Sequence, residues 1–159
     1  MSQEDLFSLP INPKIEPEYI DGKIIPFLNK HKHLIYDLYF TTRMPPFMQD
    51  AMGDVFRGVN DSKQAVKNAF YISQKTELPL SATFNNIWVK PDQKNLEEFI
   101  TNFKFLYDNG VRIATIPHTS WIMTGQIQKE YPELYIKNTI LREVSKPNEI
   151  VSLASAGFN

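Results

Sequence analysis

An apolar, strand-like run followed by a helical stretch occurs four times along this chain. The runs cover residues 34–40, 80–84, 111–116 and 134–136, and each ends in polar side chains. Repeated strand–helix units build a parallel sheet, because each strand is joined to the next by a crossover through a helix. In such sheets ligands bind at the carboxyl ends of the strands. The order of elements therefore predicts an α/β fold and the edge at which a site would lie.

Four such units without a reversal of strand order resemble half of a (β/α)8 barrel. A complete barrel usually takes about 250 residues, and this chain has 159. We predict a partial TIM-like barrel with about four parallel strands and intervening helices, forming the N-terminal half of a barrel domain over residues 21–159. A small open α/β domain is the alternative. Residues 1–20 hold three prolines among charges, which predicts an extended arm.

Helical spacing of apolar residues places the crossovers. A short helix is predicted over residues 21–32 with Asp21 as its N-cap, and others over about 62–75, 121–131 and 147–156. A longer helix begins near Gln93 and stops at Gly110, because glycine accepts the left-handed conformation there. Its apolar face is Leu96, Phe99, Ile100, Phe103 and Leu106.

Composition excludes several classes of protein. The apolar fraction is 42%, the charged fraction is 22% and the net charge is −1, so no charge excess predicts binding to nucleic acid or an anionic membrane. There is no cysteine, which excludes disulfides, thiolate zinc and a cysteine nucleophile within the chain. No signal peptide and no run of roughly 20 apolar residues is present. We therefore expect a cytoplasmic protein with no membrane partner.

The polar residues at the predicted strand ends are the candidate site. Asn85 and Asn86 follow the second strand and offer both donors and acceptors to a polar substrate, although asparagine also caps loops. His118 follows the third strand and is predicted to be catalytic, as an acid, a base or a substrate hydrogen bonder. The alternative is a histidine that caps the next helix.

Two arginines and a further asparagine complete the candidate set. Arg43 ends the first strand and is predicted as catalytic, holding a carboxylate or phosphate by its bidentate fork, unless it pairs with a structural acid. Asn138 and Arg142 follow the fourth strand and are predicted to bind substrate. His31 and His33 lack a third ligand at a recognisable spacing, so we predict no metal site. No phosphate-binding glycine motif or nucleophile elbow is present.

Residues 80–159 carry a passage with a family resemblance. The sequence reads "NGVRIATI", then "QIQKEYPELYI" and "SKPNEIVSLASAGFN", with Gly110-Val111, residues 131–136 and Ala156-Gly157 at the matching places. This order resembles the N-terminal half of the collagenase-like peptidase family (peptidase family U, number thirty-two). The resemblance implies a TIM-like barrel and a hydrolase, or an activity like that of tRNA, rRNA or quinone hydroxylation factors. Asn85 or Asn86 matches a polar position at the barrel mouth.

The resemblance also bears on cofactor and partners. Many members carry four cysteines for an iron–sulfur cluster in their later part. Because this chain has none, we expect no cofactor within it, and such a cluster could be ligated only by residues absent here. The substrate could be a small molecule, a peptide or an RNA base. A missing C-terminal half, or self-association, would cover the open sheet edges.

Three functional hypotheses follow. The first is a fragment of a barrel enzyme like the collagenase-like peptidases. The second is another TIM-barrel enzyme, such as a sugar-phosphate or metal-dependent lyase or isomerase, which would need acidic or histidine ligands at several strand ends. The predicted strand ends supply mostly asparagine, threonine, arginine and one histidine, which argues against a complete metal site. The third is a non-catalytic α/β binding or assembly domain.

Overall fold

The computed structural model describes residues 6–11, 16–41, 43–48, 59–137 and 147–155. In this part of the chain one sheet contains five strands: β1 (Phe7–Pro10), β2 (Ile35–Thr41), β3 (Leu80–Thr83), β4 (Ile113–Thr115) and β5 (Tyr135–Lys137). They lie in the order β1-β2-β3-β4-β5, and each neighbouring pair is parallel. Sequential order with parallel pairing is the arrangement of a TIM-barrel wall. The predicted α/β partial barrel is therefore confirmed.

Strand β1 makes the sheet one strand wider than predicted. It lies within residues 1–20, which were expected to form an extended arm, and it pairs along β2. Pro10 ends β1 at the edge of the sheet, where its missing amide donor is tolerated. The amide of Ile11 then donates to the carbonyl of Tyr39 at 3.0 Å and continues the ladder. A strand of four residues beside a proline is too short to show a periodicity in the sequence.

Helical elements follow each of the five strands. They are α1 (Pro17–Tyr19), α2 (Ile25–His31), α3 (Val59–Thr76), α4 (Gln93–Asp108), α5 (Thr119–Met123), α6 (Gln126–Glu130) and α7 (Pro147–Ser155). A π-helical turn over Ile20–Ile24 joins α1 to α2, and a 3₁₀ turn over Lys32–Leu34 leads into β2. The predicted helices over residues 62–75 and 147–156 are confirmed to within a few residues at each end.

The first helical region begins earlier than predicted. Pro17 stands at its first position, where the missing amide costs nothing, and the predicted cap Asp21 lies inside it. The carboxylate of Asp21 instead accepts a hydrogen bond from the Tyr71 hydroxyl at 2.7 Å, which ties this region to α3. The amide of Ile25 donates to the carbonyl of Ile20, five residues back, so the turn before Pro26 is widened.

Helix α4 matches its prediction closely. The carboxylate of Asp92 accepts from the amide of Asn95 at 3.0 Å and so caps the start of the helix. Four of the five residues predicted for the inner face are buried: Leu96, Phe99, Phe103 and Leu106. Gly110 ends the helix with φ +97°, and the Val111 amide returns to the Leu106 carbonyl. This turn leads directly into β4.

The helix predicted over residues 121–131 is instead two short helices, so that prediction is wrong. Gly125 lies between α5 and α6 with φ +69°, in the left-handed region, and interrupts the helical hydrogen bonding.

The hydrophobic core lies between the sheet and its helices. Alternate side chains along each strand point to this side, as the period of two requires. The side chains on this face are almost completely buried. They are Leu38, Phe40, Leu80, Ala82, Ala114 and Ile136. The other face of the sheet is the interior of the partial barrel.

We expect Gly110→Ala to lower the free energy of unfolding by roughly 1–2 kcal/mol, because alanine is strained at a positive φ. An added methyl group meets no atom within 4 Å at Gly110, so the loss would report backbone strain alone. Gly22→Ala is the matched control, since its site is equally open and no positive φ applies there. Equal effects of the two substitutions in urea unfolding would contradict this explanation of the helix stop.

Candidate functional site

The interior face of the sheet is far more polar than the face beneath the helices. The strand register places on it one row of side chains from Tyr39, Ser81, Ile113 and Tyr135 and a second row from Thr41, Thr83, Thr115 and Lys137. Ser8 and Asp37 lie next to each other at the other end of this face. A polar surface that faces the inside of a barrel is available for binding and chemistry, whereas the apolar face is needed for the core.

Asp37 is the most unusual residue on this face, because it is a charged residue of β2 whose side chain is completely buried. Its Oδ2 atom lies 2.5 Å from Nζ of Lys137, whose side chain is 24% exposed. The same Nζ lies 3.3 Å from Oγ of Ser8. A buried carboxylate needs such a partner, since an unpaired charge away from water is very costly. The pair joins β2 and β5 to β1 across the interior.

A register shift next to Asp37 brings a second side chain to the same ammonium group. Phe7 is paired with Ile35 but Ser8 is paired with Asp37, so Tyr36 is an extra residue in β2. Such a β-bulge re-aims side chains. The Tyr36 ring centroid lies 4.8 Å from Nζ of Lys137. Burial, and then the neighbouring Tyr135 and Asp37, raise the pKa of Tyr36 above its ordinary value.

We call Ser8, Tyr36, Asp37, Tyr135 and Lys137 the Asp37–Lys137 cluster. Around the Lys137 ammonium group it places a carboxylate, the Ser8 hydroxyl and the Tyr36 ring, and Tyr135 neighbours Tyr36. A carboxylate can accept a proton and an ammonium group can donate one, so the cluster has the parts for general acid–base chemistry. None of its members was predicted as a site residue. A charged residue inside the apolar run 34–40 is the signal that could have pointed to Asp37.

His118 lies at the carboxyl end of β4, as predicted, and is buried in an aromatic cluster. Its ring centroid is 4.8 Å from that of Trp121 and 5.9 Å from that of Phe47. A backbone hydrogen bond joins it to Val89 in the loop after β3. Burial lowers the pKa of His118 despite that hydrogen bond, which favours the neutral imidazole. Loops that follow β2, β3 and β4 therefore meet at this histidine.

Of the other predicted site residues, three lie in the described part of the chain, near the strand ends. Oδ1 of Asn86 accepts from the amide of Trp88 at 2.9 Å, which is the turn-forming role considered as its alternative. Asn85 and Arg43 are half-buried at the carboxyl ends of β3 and β2. The predicted substrate-binding residues Asn138 and Arg142 lie outside the described residues. Substrate contact by any of these residues stays a prediction.

The part of the chain that the structure describes contains no group of three or more histidine, cysteine or acidic side chains placed to hold a metal ion. The ring of His31 packs on that of Phe27, with centroids 4.7 Å apart. Within the same ranges, no helix combines the length and apolar character needed to cross a membrane.

Comparison with known proteins gives a likeness of fold. No protein-family model matches the chain, and no curated protein matches it. A protein from Burkholderia cenocepacia J2315, provisionally named a phosphonomutase, aligns with a TM-score of 0.55 and 11% sequence identity. A provisionally named lyase/mutase from the same organism aligns with a TM-score of 0.49, also at 11% identity, over 84% of this chain and 47% of its own. The first alignment covers 94% of this chain but only 56% of the phosphonomutase-named chain.

These findings correct the family resemblance drawn from residues 80–159. The structure that aligns with a TM-score of 0.55 is named for phosphonomutase chemistry, and no family model supports a collagenase-like peptidase. The peptidase and hydrolase interpretation is therefore wrong. One of its motifs, Gly110-Val111, has a local explanation, because Gly110 ends α4 in the left-handed conformation. Any β/α unit with a tight helix-to-strand turn can carry that motif.

We expect Lys137→Met to lower the free energy of unfolding by roughly 3 kcal/mol, because it leaves the Asp37 carboxylate buried without a counter-charge. Lys104→Met is the matched control: Lys104 pairs with Asp108 at 2.7 Å, but both side chains are more than half exposed. Its loss should cost less than about 1 kcal/mol. The double variant Asp37→Asn/Lys137→Met should be more stable than the sum of the single effects predicts. Similar losses for Lys137→Met and Lys104→Met would contradict the buried pair.

The stability of the fold should depend on pH through His118. Its pKa is lowered in the folded state from an ordinary value of 6.5, so the unfolded state binds more protons below that pH. The free energy of unfolding should therefore decrease as the pH falls from about 6.5 toward the lowered pKa of His118. His118→Gln should flatten this part of a pH–stability curve from chemical denaturation. His33→Gln, at an exposed histidine, should leave the slope unchanged. A slope that persists in His118→Gln would refute the assignment.

Proposed function

We propose that this chain forms part of a TIM-barrel lyase or isomerase whose active site includes the Asp37–Lys137 cluster. The observation that carries the proposal is the completely buried Asp37 carboxylate, 2.5 Å from the Lys137 ammonium group inside the barrel. The names of the aligned proteins agree with this reaction class, but one barrel fold hosts many activities. The support for chemistry therefore comes from the cluster.

The cost of burying charge supports a functional role. A buried ion pair seldom stabilises a fold more than apolar side chains of the same size would. Charged groups held in a barrel interior despite that cost are candidates for binding or proton transfer. Lyases and isomerases commonly remove a proton from carbon and return one elsewhere, which requires an acceptor and a donor close together. The Asp37–Lys137 cluster provides both.

The residues predicted at the strand ends have subordinate roles in this proposal. Arg43 and Asn85 would bind polar groups of the substrate at the barrel mouth, together with Asn138 and Arg142. His118 would act as a neutral hydrogen-bonding group, because its pKa is lowered by burial. The substrate would be a small polar molecule, and the remaining wall of the barrel would come from strands that pair with the outer edges of β1 and β5.

Proton exchange at carbon tests the proposal with simple compounds in place of the natural substrate. The protein would be incubated in D2O with a panel of small carbonyl acids and phosphonates, and loss of the proton signal next to the carbonyl followed by NMR. We expect at least one compound to exchange faster with protein than without it. Asp37→Asn should lower that rate by about 100-fold or more.

Asp108→Asn is the control for this experiment, since Asp108 also pairs with a lysine but is exposed. It should retain the wild-type rate. Circular dichroism would establish that each variant is folded. No exchange with any compound, or an equal rate in Asp37→Asn and wild type, would refute the proposal. A defined dimer without exchange would instead favour the non-catalytic assembly domain.

A further inference from the structure

We propose that Lys137 is a nucleophile that forms an imine with the carbonyl group of a small aldehyde or ketone. This inference rests on the proposed function and specifies how its site would work. Three groups surround Nζ of Lys137: the carboxylate of Asp37 at 2.5 Å, the hydroxyl of Ser8 at 3.3 Å and the ring of Tyr36 at 4.8 Å.

The position of Lys137 suits an incoming substrate. It is the last residue of β5, at the end of the strand where parallel barrels place their active sites. The side chain keeps 24% of its surface exposed, whereas its partner Asp37 has none. Lys137 is therefore the member of the pair that a molecule entering the barrel mouth can touch, and Asp37 lies behind it.

The carboxylate of Asp37 supplies a route to the reactive form of the lysine. An amine attacks a carbonyl carbon only after it has lost its extra proton. Oδ2 of Asp37 lies close enough to Nζ to accept that proton directly.

The covalent step balances with the groups present. The neutral amine nitrogen of Lys137 bonds to the carbonyl carbon, and the carbonyl oxygen takes the proton held by Asp37. The nitrogen then passes a second proton to the Asp37 carboxylate, which returns it to the hydroxyl group of the carbinolamine, so that the oxygen leaves as water and a carbon–nitrogen double bond remains. The hydroxyl of Ser8, whose oxygen lies 3.3 Å from Nζ, would donate a hydrogen bond to the departing oxygen. Protonation of the imine nitrogen makes it an acceptor for the electrons of a neighbouring bond.

This chemistry fits both halves of the proposed reaction class. When a carbon–carbon bond next to the imine breaks, its electrons move toward the nitrogen, which is a lyase step. When a carbon–hydrogen bond next to the imine breaks and the proton returns elsewhere, the result is an isomerisation. Hydrolysis by water then releases the product and restores Lys137. No oxidant or reductant is consumed.

Reductive trapping tests the inference directly. The full chain would be incubated with pyruvate or glyceraldehyde in the presence of sodium borohydride, which reduces an imine to a stable secondary amine. With pyruvate the protein should gain the mass of pyruvate less one oxygen atom, and peptide mapping should place the gain on Lys137. Lys104→Met should retain this adduct and Lys137→Met should lose it. Asp37→Asn, which keeps the lysine, should form it at least ten-fold more slowly.

Every outcome of the trapping experiment decides the inference. It is supported by an adduct on Lys137 that depends on Asp37. It is overturned by the absence of an adduct with both probes, by label spread evenly over exposed lysines such as Lys104, or by an undiminished rate in Asp37→Asn. Proton exchange without trapping would refute the imine and leave the lyase or isomerase proposal standing. Trapping without exchange would support the nucleophile and refute the acid–base proposal.

Discussion

Each strand of this sheet has to bury one face beneath helices, and that requirement determines what is left for the interior. The positions that point to the helices are taken by leucine, alanine, phenylalanine and isoleucine, with almost no exposure. Positions one residue away point into the barrel and, apart from Ile113, carry serine, threonine, tyrosine, aspartate and lysine. Because the core is satisfied by one face alone, the other face is free to hold groups that a core would exclude.

The elements that the sequence predicts well are those with a strong local signal. Strands β2 and β3 are apolar runs, and α4 has an apolar face at helical spacing with a capping aspartate and a terminal glycine. Strand β1 has no comparable signal, since it is short and is held mainly by backbone pairing with β2. The break between α5 and α6 depends on one glycine at a positive φ, a conformation that glycine permits but does not require.

The candidate site is less predictable, because its members are distant in sequence. Asp37 and Lys137 are separated by 100 residues, and their contact exists only because β2 and β5 curve around one interior. Strand-end reasoning leads to Arg43, Asn85 and His118, which do lie at the mouth. It does not reveal that His118 is enclosed by aromatic rings, one of which comes from the loop after β2. Short sequence motifs failed for a related reason: they record local turns that many barrels share.

The β-bulge at Tyr36 has a consequence for how this part of the chain can vary. In a regular strand, the loss of one residue reverses the orientation of all side chains beyond it. The bulged strand already holds one residue more than β1 requires, so a deletion at this point would restore even pairing with β1 and remove the tyrosine. A deletion anywhere between Asp37 and Thr41 would instead exchange core and interior positions. Tolerance to a change in chain length is thus confined to one position of β2, and that position directly precedes the buried carboxylate.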